Sequence, residues 1–224
     1  MIEPALKQAT DDFRQNMAGY DWSNQSPTRR RILEEFLRLA IEIGFNSVSM
    51  RMVARAVDIK APSIYAHFPD GRDEIVAESL RWHFHQFGTA ILDALENCET
   101  PEEYWSALVR VHLTRQLQLP ESNLWDLLIA TDEMVHFLRP ELRSEADKWV
   151  ALYEQLYVVA AREMGFVSSD KALRIITTLL EGACKWCDWD GDASSLPEVA
   201  DNAVAMTRMI LVSVSNSSVN AVQG

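Results

Sequence analysis

Few residues of this 224-residue chain have types and spacings that do chemistry. Cys184-Lys185-Trp186-Cys187 has the spacing of a metal or redox pair. It has neither a second such pair nor a nearby histidine, so a tetrahedral zinc site would lack ligands. Thiols three apart on a helix pack instead as small hydrophobes. His83-Phe84-His85 also invites a metal, but residues two apart on a helix point about 200° apart and cannot share an ion. The third group lies between Arg29 and Arg72 and is richer: Arg29, Arg30, Arg31, Ser49, Arg51, Lys60, Ser63, Tyr65, His67 and Arg72. Guanidinium, ammonium, hydroxyl, phenol and imidazole groups all donate to phosphate oxygens. No glycine-rich phosphate loop, nucleophile turn or carboxylate-metal cluster occurs, so the chain is not expected to be an enzyme or to hold a metal or cofactor.

The charge distribution singles out the same segment. The chain carries 21 basic and 33 acidic side chains, a net charge of −12. Residues 26–72 hold eight of the basic groups and five acids, a local +3 that leaves −15 for the rest. A locally basic segment on an acidic body fits a confined contact with a polyanion rather than general nucleic-acid affinity. The three cysteines and the polar N-terminus, which lacks a signal-like apolar stretch, fit a cytoplasmic protein. No apolar run reaches the roughly 18 residues of a membrane span, and no membrane contact is expected.

The elements that must position these groups read as helices throughout. Pro4 to Met17 has an amphipathic pattern. Ser26-Pro27 is a cap-and-proline helix start, Ile32, Leu33, Phe36, Leu37, Ala40 and Ile43 follow at helical spacing, and Gly44 ends the run. Ser49 can cap a short helix over Met50–Val57. Asp58-Ile59-Lys60 connects it to another over Ala61–His67, with Pro62 in its first turn. Two helices of about eight and seven residues joined by three residues have helix-turn-helix geometry. The second begins with Ala61, Pro62 and Ser63, small enough to let the backbone approach a phosphate or base edge. Ile64 and Phe68 point the other way, into a small core.

The run SVSMRMVARAVDIKAPSIYAHFPDGRDEIV, from Ser47, resembles the DNA-binding domain of the tetracycline-repressor (TetR) family. The match rests on Gly44, Ser49, Val53-Ala54, Ile59, Ser63-Ile64-Tyr65, His67-Phe68 and Arg72. Three features depart from the family pattern. Val57-Asp58 replaces the usual Ala-Gly, Lys60 replaces a Ser or Thr cap, and Pro69-Asp70-Gly71-Arg72 is one residue longer. Aspartate tolerates a left-handed backbone better than most residues. The resemblance implies phosphate contacts from Ser49, Tyr65, His67 and Arg72. It places Arg51, Lys60, Ala61 and Ser63 on or beside the major groove, with Arg29, Arg30 and Arg31 adding attraction to the backbone. It also implies an all-α chain that dimerises through its last two long helices and binds an effector in its body.

Downstream, helices are predicted over Asp73–Asn97, Pro101–Leu119, Leu124–Phe137, Pro140–Met164, Asp170–Trp186 and Glu198–Val214. Thr100 and Ser195 each open a capping box, and Ser169 can cap the helix beginning at Asp170. The middle of the chain is rich in tryptophan, with polar groups interspersed: His112, Arg115, Gln116, His136, Tyr153 and Tyr157. Trp82, Trp105, His112, Gln116, Trp125, Trp149, Tyr153 and Trp186 are the candidate ligand-binding residues, weighed against an ordinary aromatic core. The stretch from Leu180 to Val199 resembles TetR-family members that sense acyl-coenzyme A thioesters, although an acidic body is a poor host for a nucleotide. The expected organisation is an N-terminal extension over 1–25, a helix-turn-helix domain over 26–75, a ligand-binding and dimerisation domain over 76–215, and a flexible tail over 216–224. The expected partners are double-stranded operator DNA, a small hydrophobic, aromatic or acyl-CoA effector, and a second copy of the chain. A helical protein-interaction module and a constitutive DNA-binding dimer are the alternatives.

Overall fold

The computed structural model describes residues 3–20, 22, 25–135, 138–166 and 170–222, without the side chains of 133–135 and 216–222. The predicted cap at Ser169 and the polar group of His136 lie outside the described residues. The described residues form only helices: α1 (Pro4–Met17), α2 (Pro27–Ile43), α3 (Met50–Ala56), α4 (Ala61–His67), α5 (Arg72–Leu95), α6 (Pro101–Gln118), α7 (Pro120–Val135), α8 (Pro140–Glu163), α9 (Asp170–Glu181), α10 (Ala183–Trp186) and α11 (Leu196–Val222), with one 3-10 turn over Phe45–Ser47. No described helix is long and apolar enough to cross a membrane.

Most helix ends follow local chemistry. The Ser26 hydroxyl accepts from the Arg29 amide at 3.3 Å, with Pro27 opening α2. The Thr100–Glu103 capping box forms in full at the start of α6. Gly44 (φ 88°) stops α2 in a backbone conformation that L side chains rarely adopt. Other ends differ from the prediction. Pro120 opens α7 one residue after α6 ends, earlier than expected at Leu124, because proline needs no amide partner in a first turn. Gly182 breaks the predicted helix 170–186 into α9 and α10. Ser195 spends its hydroxyl on the Asp192 carbonyl, 2.8 Å away, inside the loop. α11 runs on to Val222, past the expected end at Val214, since residues 215–222 contain neither proline nor glycine.

The head comprises α2, α3, α4 and the start of α5, packed on Ile32, Leu33, Phe36, Val53, Ile64, Phe68 and Ile75, all essentially inaccessible. In the body, α6 is central and packs against α5, α8, α9 and α11, burying Tyr104, Trp105, Leu108, Val109 and Leu113. α5 belongs to both parts. α1 lies on α8 and α5, with Leu6 and Phe13 fully buried, so residues 4–17 are built into the body.

Candidate nucleic-acid interface and body site

α3 and α4 are joined by a turn in which Asp58 adopts φ 56°, the left-handed conformation that its glycine-like position requires. The Ile59 amide closes the turn on the Ala54 carbonyl at 2.9 Å. Val53, Ala54 and Val57 on one side and Ile64 and Phe68 on the other are buried in the core of the head. Burying those positions fixes which side chains face outward.

Ser49, Arg51, Lys60 and Tyr65 are exposed, whereas Ala61, Ser63 and His67 are half-buried. Arg55, which sequence reasoning left out of the site, is exposed on the same short helix as Arg51; its spacing of four from Arg51 is the signal that could have found it. Among the described residues Arg51, Arg55 and Lys60 form no ion pair. The Ser49 hydroxyl caps α3 by accepting from the Met52 amide, which leaves its proton free to donate. Tyr65 packs its ring edge on Gly71, where a Cβ would come within 3.2 Å.

The remaining arginines turn inward. Arg72 donates to the Phe45 carbonyl at 2.7 Å and lies 4.6 Å from the centre of the Phe45 ring. Arg29 stacks on Phe68 at 4.2 Å, donates to the His67 carbonyl and approaches Glu74 and Glu78 at 3.6 and 3.5 Å. Arg30 donates to the Trp22 carbonyl at 2.9 Å, and Arg31 reaches the Val57 carbonyl at 3.4 Å. The expected arginine triplet and Arg72 thus bind the head to itself.

The body interior is an aromatic stack. Trp149 lies flat on Phe84 at 4.6 Å and contacts Phe87 and Tyr153. Tyr153 links the His112 ring nitrogen, at 2.8 Å, to the Tyr157 hydroxyl, at 3.1 Å. Burial holds the His112 imidazole down to about 3, so it is neutral, and raises both phenols well above their usual range. Gln116 donates to the Asp126 carboxylate; burial pushes Asp126 up to about 6. Burial, then the fields of Asp126 and Glu154, push Glu181 up to about 7.

The predicted ligand residues separate accordingly. Trp105, Trp149 and Trp186 have partners for their indole N–H groups: Thr207 Oγ1, Met17 Sδ and the Leu179 carbonyl. Trp82 packs on Trp22, near the head. Trp125 is fully buried, and its indole N–H has no hydrogen-bond partner among the described residues. The Cys184 thiol donates to Asn123 Oδ1 at 3.5 Å, and among the described residues no group of three or more His, Cys, Asp or Glu could hold a metal.

Comparison with known proteins agrees with this arrangement. The family model "Bacterial regulatory proteins, tetR family" matches residues 32–78. The chain matches no curated protein by sequence. The crystal structure of superantigen pfit is similar at TM-score 0.65 and 23% identity, over 88% of this chain and 98% of that one. AibR, solved with isovaleryl coenzyme A and operator DNA, is similar at TM-score 0.61 and 20% identity, over 80% and 97%. PfmR, a TetR family transcriptional regulator from Thermus thermophilus, is similar at TM-score 0.61 and 22% identity, over 84% and 97%. Residues 32–78 thus match the tetR-family model, and the chain as a whole shares the fold of these solved structures.

Proposed function

We propose that this chain is a cytoplasmic, non-enzymatic transcriptional regulator. It binds operator DNA as a homodimer through α3 and α4 and is released by a small hydrophobic, aromatic or acyl-CoA-type effector held in the body. The observation that carries the reading is the outward face of the helix-turn-helix: Arg51, Arg55 and Lys60 without ion pairs among the described residues, beside Ser49, Ser63, Tyr65 and His67, on a protein that is otherwise acidic. Unpaired cations and hydroxyls on one face match a phosphate backbone, and the small Ala61 and Ser63 leave room for base edges. Arg29 and Arg72 serve this face indirectly, by bracing α4 and the start of α5.

A second copy fits the apolar groove of about 400 Å³ lined by Ile175, Leu179, Met206, Met209 and Ile210 on α9 and α11. Met209 is 62% exposed and Ile175 42%, an arrangement that favours burial against another subunit. AibR, with its coenzyme A thioester and operator, supports the effector half of the reading. The test is fluorescence anisotropy with the DNA upstream of the chain's own gene, at several salt concentrations. Specific binding that weakens steeply with salt is expected. Binding no tighter than to random duplex, for that region and for a selected random-sequence library, would overturn the reading.

A further inference from the structure

Unpartnered buried polar atoms are costly, and in this body they gather where α5, α6 and α7 meet. Arg115 Nε and Nη2, His83 Nδ1, Ser79 Oγ, Ser122 Oγ and Trp125 Nε1 are all buried without a hydrogen-bond partner among the described residues. Ser79, His83, Ser122 and Trp125 are each at least nine-tenths buried. Their placement converges. Ser79 and His83 are one turn apart on α5, and Ser122 and Trp125 share a face of α7. The His83 ring lies 6.4 Å from Trp125 and 5.9 Å from Phe87, and the Arg115 guanidinium sits 5.1 Å from the Phe87 ring centre. Arg115 forms no ion pair within the described residues. Its one hydrogen bond, to the Gln86 carbonyl, is long at 3.5 Å, and the field of Glu121 reaches it without ion-pair contact.

Apart from Gln116 Oε1, an unpartnered acceptor beside Arg115, the set consists largely of donors and carries one fixed positive charge. Guanidinium, indole and hydroxyl groups all seek acceptors. The idle edge of Arg115, Nε with Nη2, is one that a carboxylate engages with both oxygens. Burial first, and the Arg115 charge second, hold His83 down to about 3, so it adds no second cation. With Glu121 already in the field of Arg115, a doubly charged phosphate would add two negative charges against one guanidinium, whereas a carboxylate adds one. His83 and Gln86 also line a cleft of about 300 Å³, with Leu37, Ile41 and Trp82 on one side and the charged Glu34, Arg38 and Glu121 among its other walls. The Leu37, Ile41 and Trp82 wall offers apolar contact for the rest of a small molecule, and the cleft touches both head and body.

We propose that the junction of α5, α6 and α7 is a binding site for a small monocarboxylate, its carboxylate on Arg115 Nε and Nη2 with the Ser122 hydroxyl and Trp125 indole as further donors, and its apolar part in the cleft against α2. This names the effector's class and rests on the regulator reading above. The test uses the full-length protein with phenylacetate and its uncharged counterpart phenylacetamide, read by tryptophan fluorescence and calorimetry. Phenylacetate should bind about 10- to 100-fold more tightly than the amide. Arg115→Met should abolish that preference and Arg115→Lys keep part of it. The unliganded Arg115→Met protein should melt no lower than the parent, because a buried cation without a partner is removed. Equal affinity for acid and amide, no binding of the acid at millimolar concentration, or a preference that survives Arg115→Met would each overturn the proposal. Operator DNA separates the two readings. Arg115-dependent binding of the acid with no effect on operator affinity retains the site and rejects it as the effector site. Release by the amide as well as by the acid retains the regulator and rejects the carboxylate.

Discussion

At the scale of single residues, what matters is which cations are already committed. Arg72 gains a charged hydrogen bond to the Phe45 carbonyl and the face of the Phe45 ring, whereas Arg51 has neither. Replacing Arg72 with alanine should therefore lower stability by about 1–3 kcal/mol. Its effect on operator affinity should come through head stability, leaving the salt dependence unchanged. Arg51→Ala should leave stability within about 0.5 kcal/mol and reduce the salt slope by about one. Thermal melts and salt-dependent anisotropy on both variants decide this, and equal slopes in the two would sink the distinction. The interior histidines make a second residue-scale prediction. His83 and His112 are neutral when folded, with pKa values held to about 3 against an ordinary 6.5. The unfolded chain therefore binds their protons first as pH falls. Each histidine removes stability below about pH 6.5, at roughly 1.4 kcal/mol per pH unit. Asp126, raised to about 6, works the other way, because its folded form takes up a proton while the unfolded carboxyl is still ionised. His83→Gln should accordingly make stability between pH 6 and 4 less acid-sensitive than the parent's by about 1.4 kcal/mol per pH unit. Denaturant melts at the two pH values measure it, and an unchanged difference would show that His83 does not stay neutral.

At the scale of elements, the helix-turn-helix was legible because its determinants are local. Ser49 capping α3, Asp58 at positive φ, and Ile64 and Phe68 turning inward all depend on neighbours a few positions away. The braces were not legible, because Arg72 meets a carbonyl 27 positions distant and Arg29 one 38 distant. In the body, Arg115 and Trp125 stood out in the sequence, but that their polar atoms are idle did not, because a sequence shows donors but not which of them find partners. The role of α1 was hidden in the same way. Its amphipathic pattern announces a face to bury but not what buries it. In the structure Phe13 packs edge-on to Trp149 at 5.6 Å, and Thr10 shares a 2.5 Å hydrogen bond with the Tyr104 hydroxyl. Met17 fills the space above Gly88, where a Cβ would come within 2.2 Å of its sulfur. An independent extension would tolerate truncation of Phe13, whereas one built into the body would not. Phe13→Ala should cost about 3–5 kcal/mol of whole-chain stability. A loss below about 1 kcal/mol, the range of ordinary surface changes, would return residues 4–17 to the status of an appendage.

At the scale of the molecule, head and body are joined by elements rather than by strong surface contacts. α5 runs through both, and α2 also touches α7. The ion pairs of Arg139 with Asp70 and Asp73, at 3.4 and 3.0 Å, span the joint but are more than half exposed, so each contributes little. Movement of α5 against α6 and α7 can therefore turn the head without first breaking a strong latch. That movement regulates DNA only if the two heads are held at a defined spacing, about 34–36 Å for successive major grooves, which requires the proposed dimer. Met209→Asp tests the dependence, because it places a charge on the most exposed apolar side chain of the α9–α11 groove without touching the head. Sedimentation should show a folded monomer at micromolar concentration. Affinity for a two-half-site operator should fall by about 10²-fold or more, through loss of the linked second contact. Affinity for an isolated half-site should stay unchanged. A bound effector should then no longer distinguish the half-site complex from free protein beyond its direct effect on one head. In the parent dimer, effector and operator should weaken each other by one common factor, about 5- to 150-fold. A Met209→Asp protein that remains dimeric would move the interface elsewhere, and a monomer that keeps full operator affinity would remove the dimer from the mechanism.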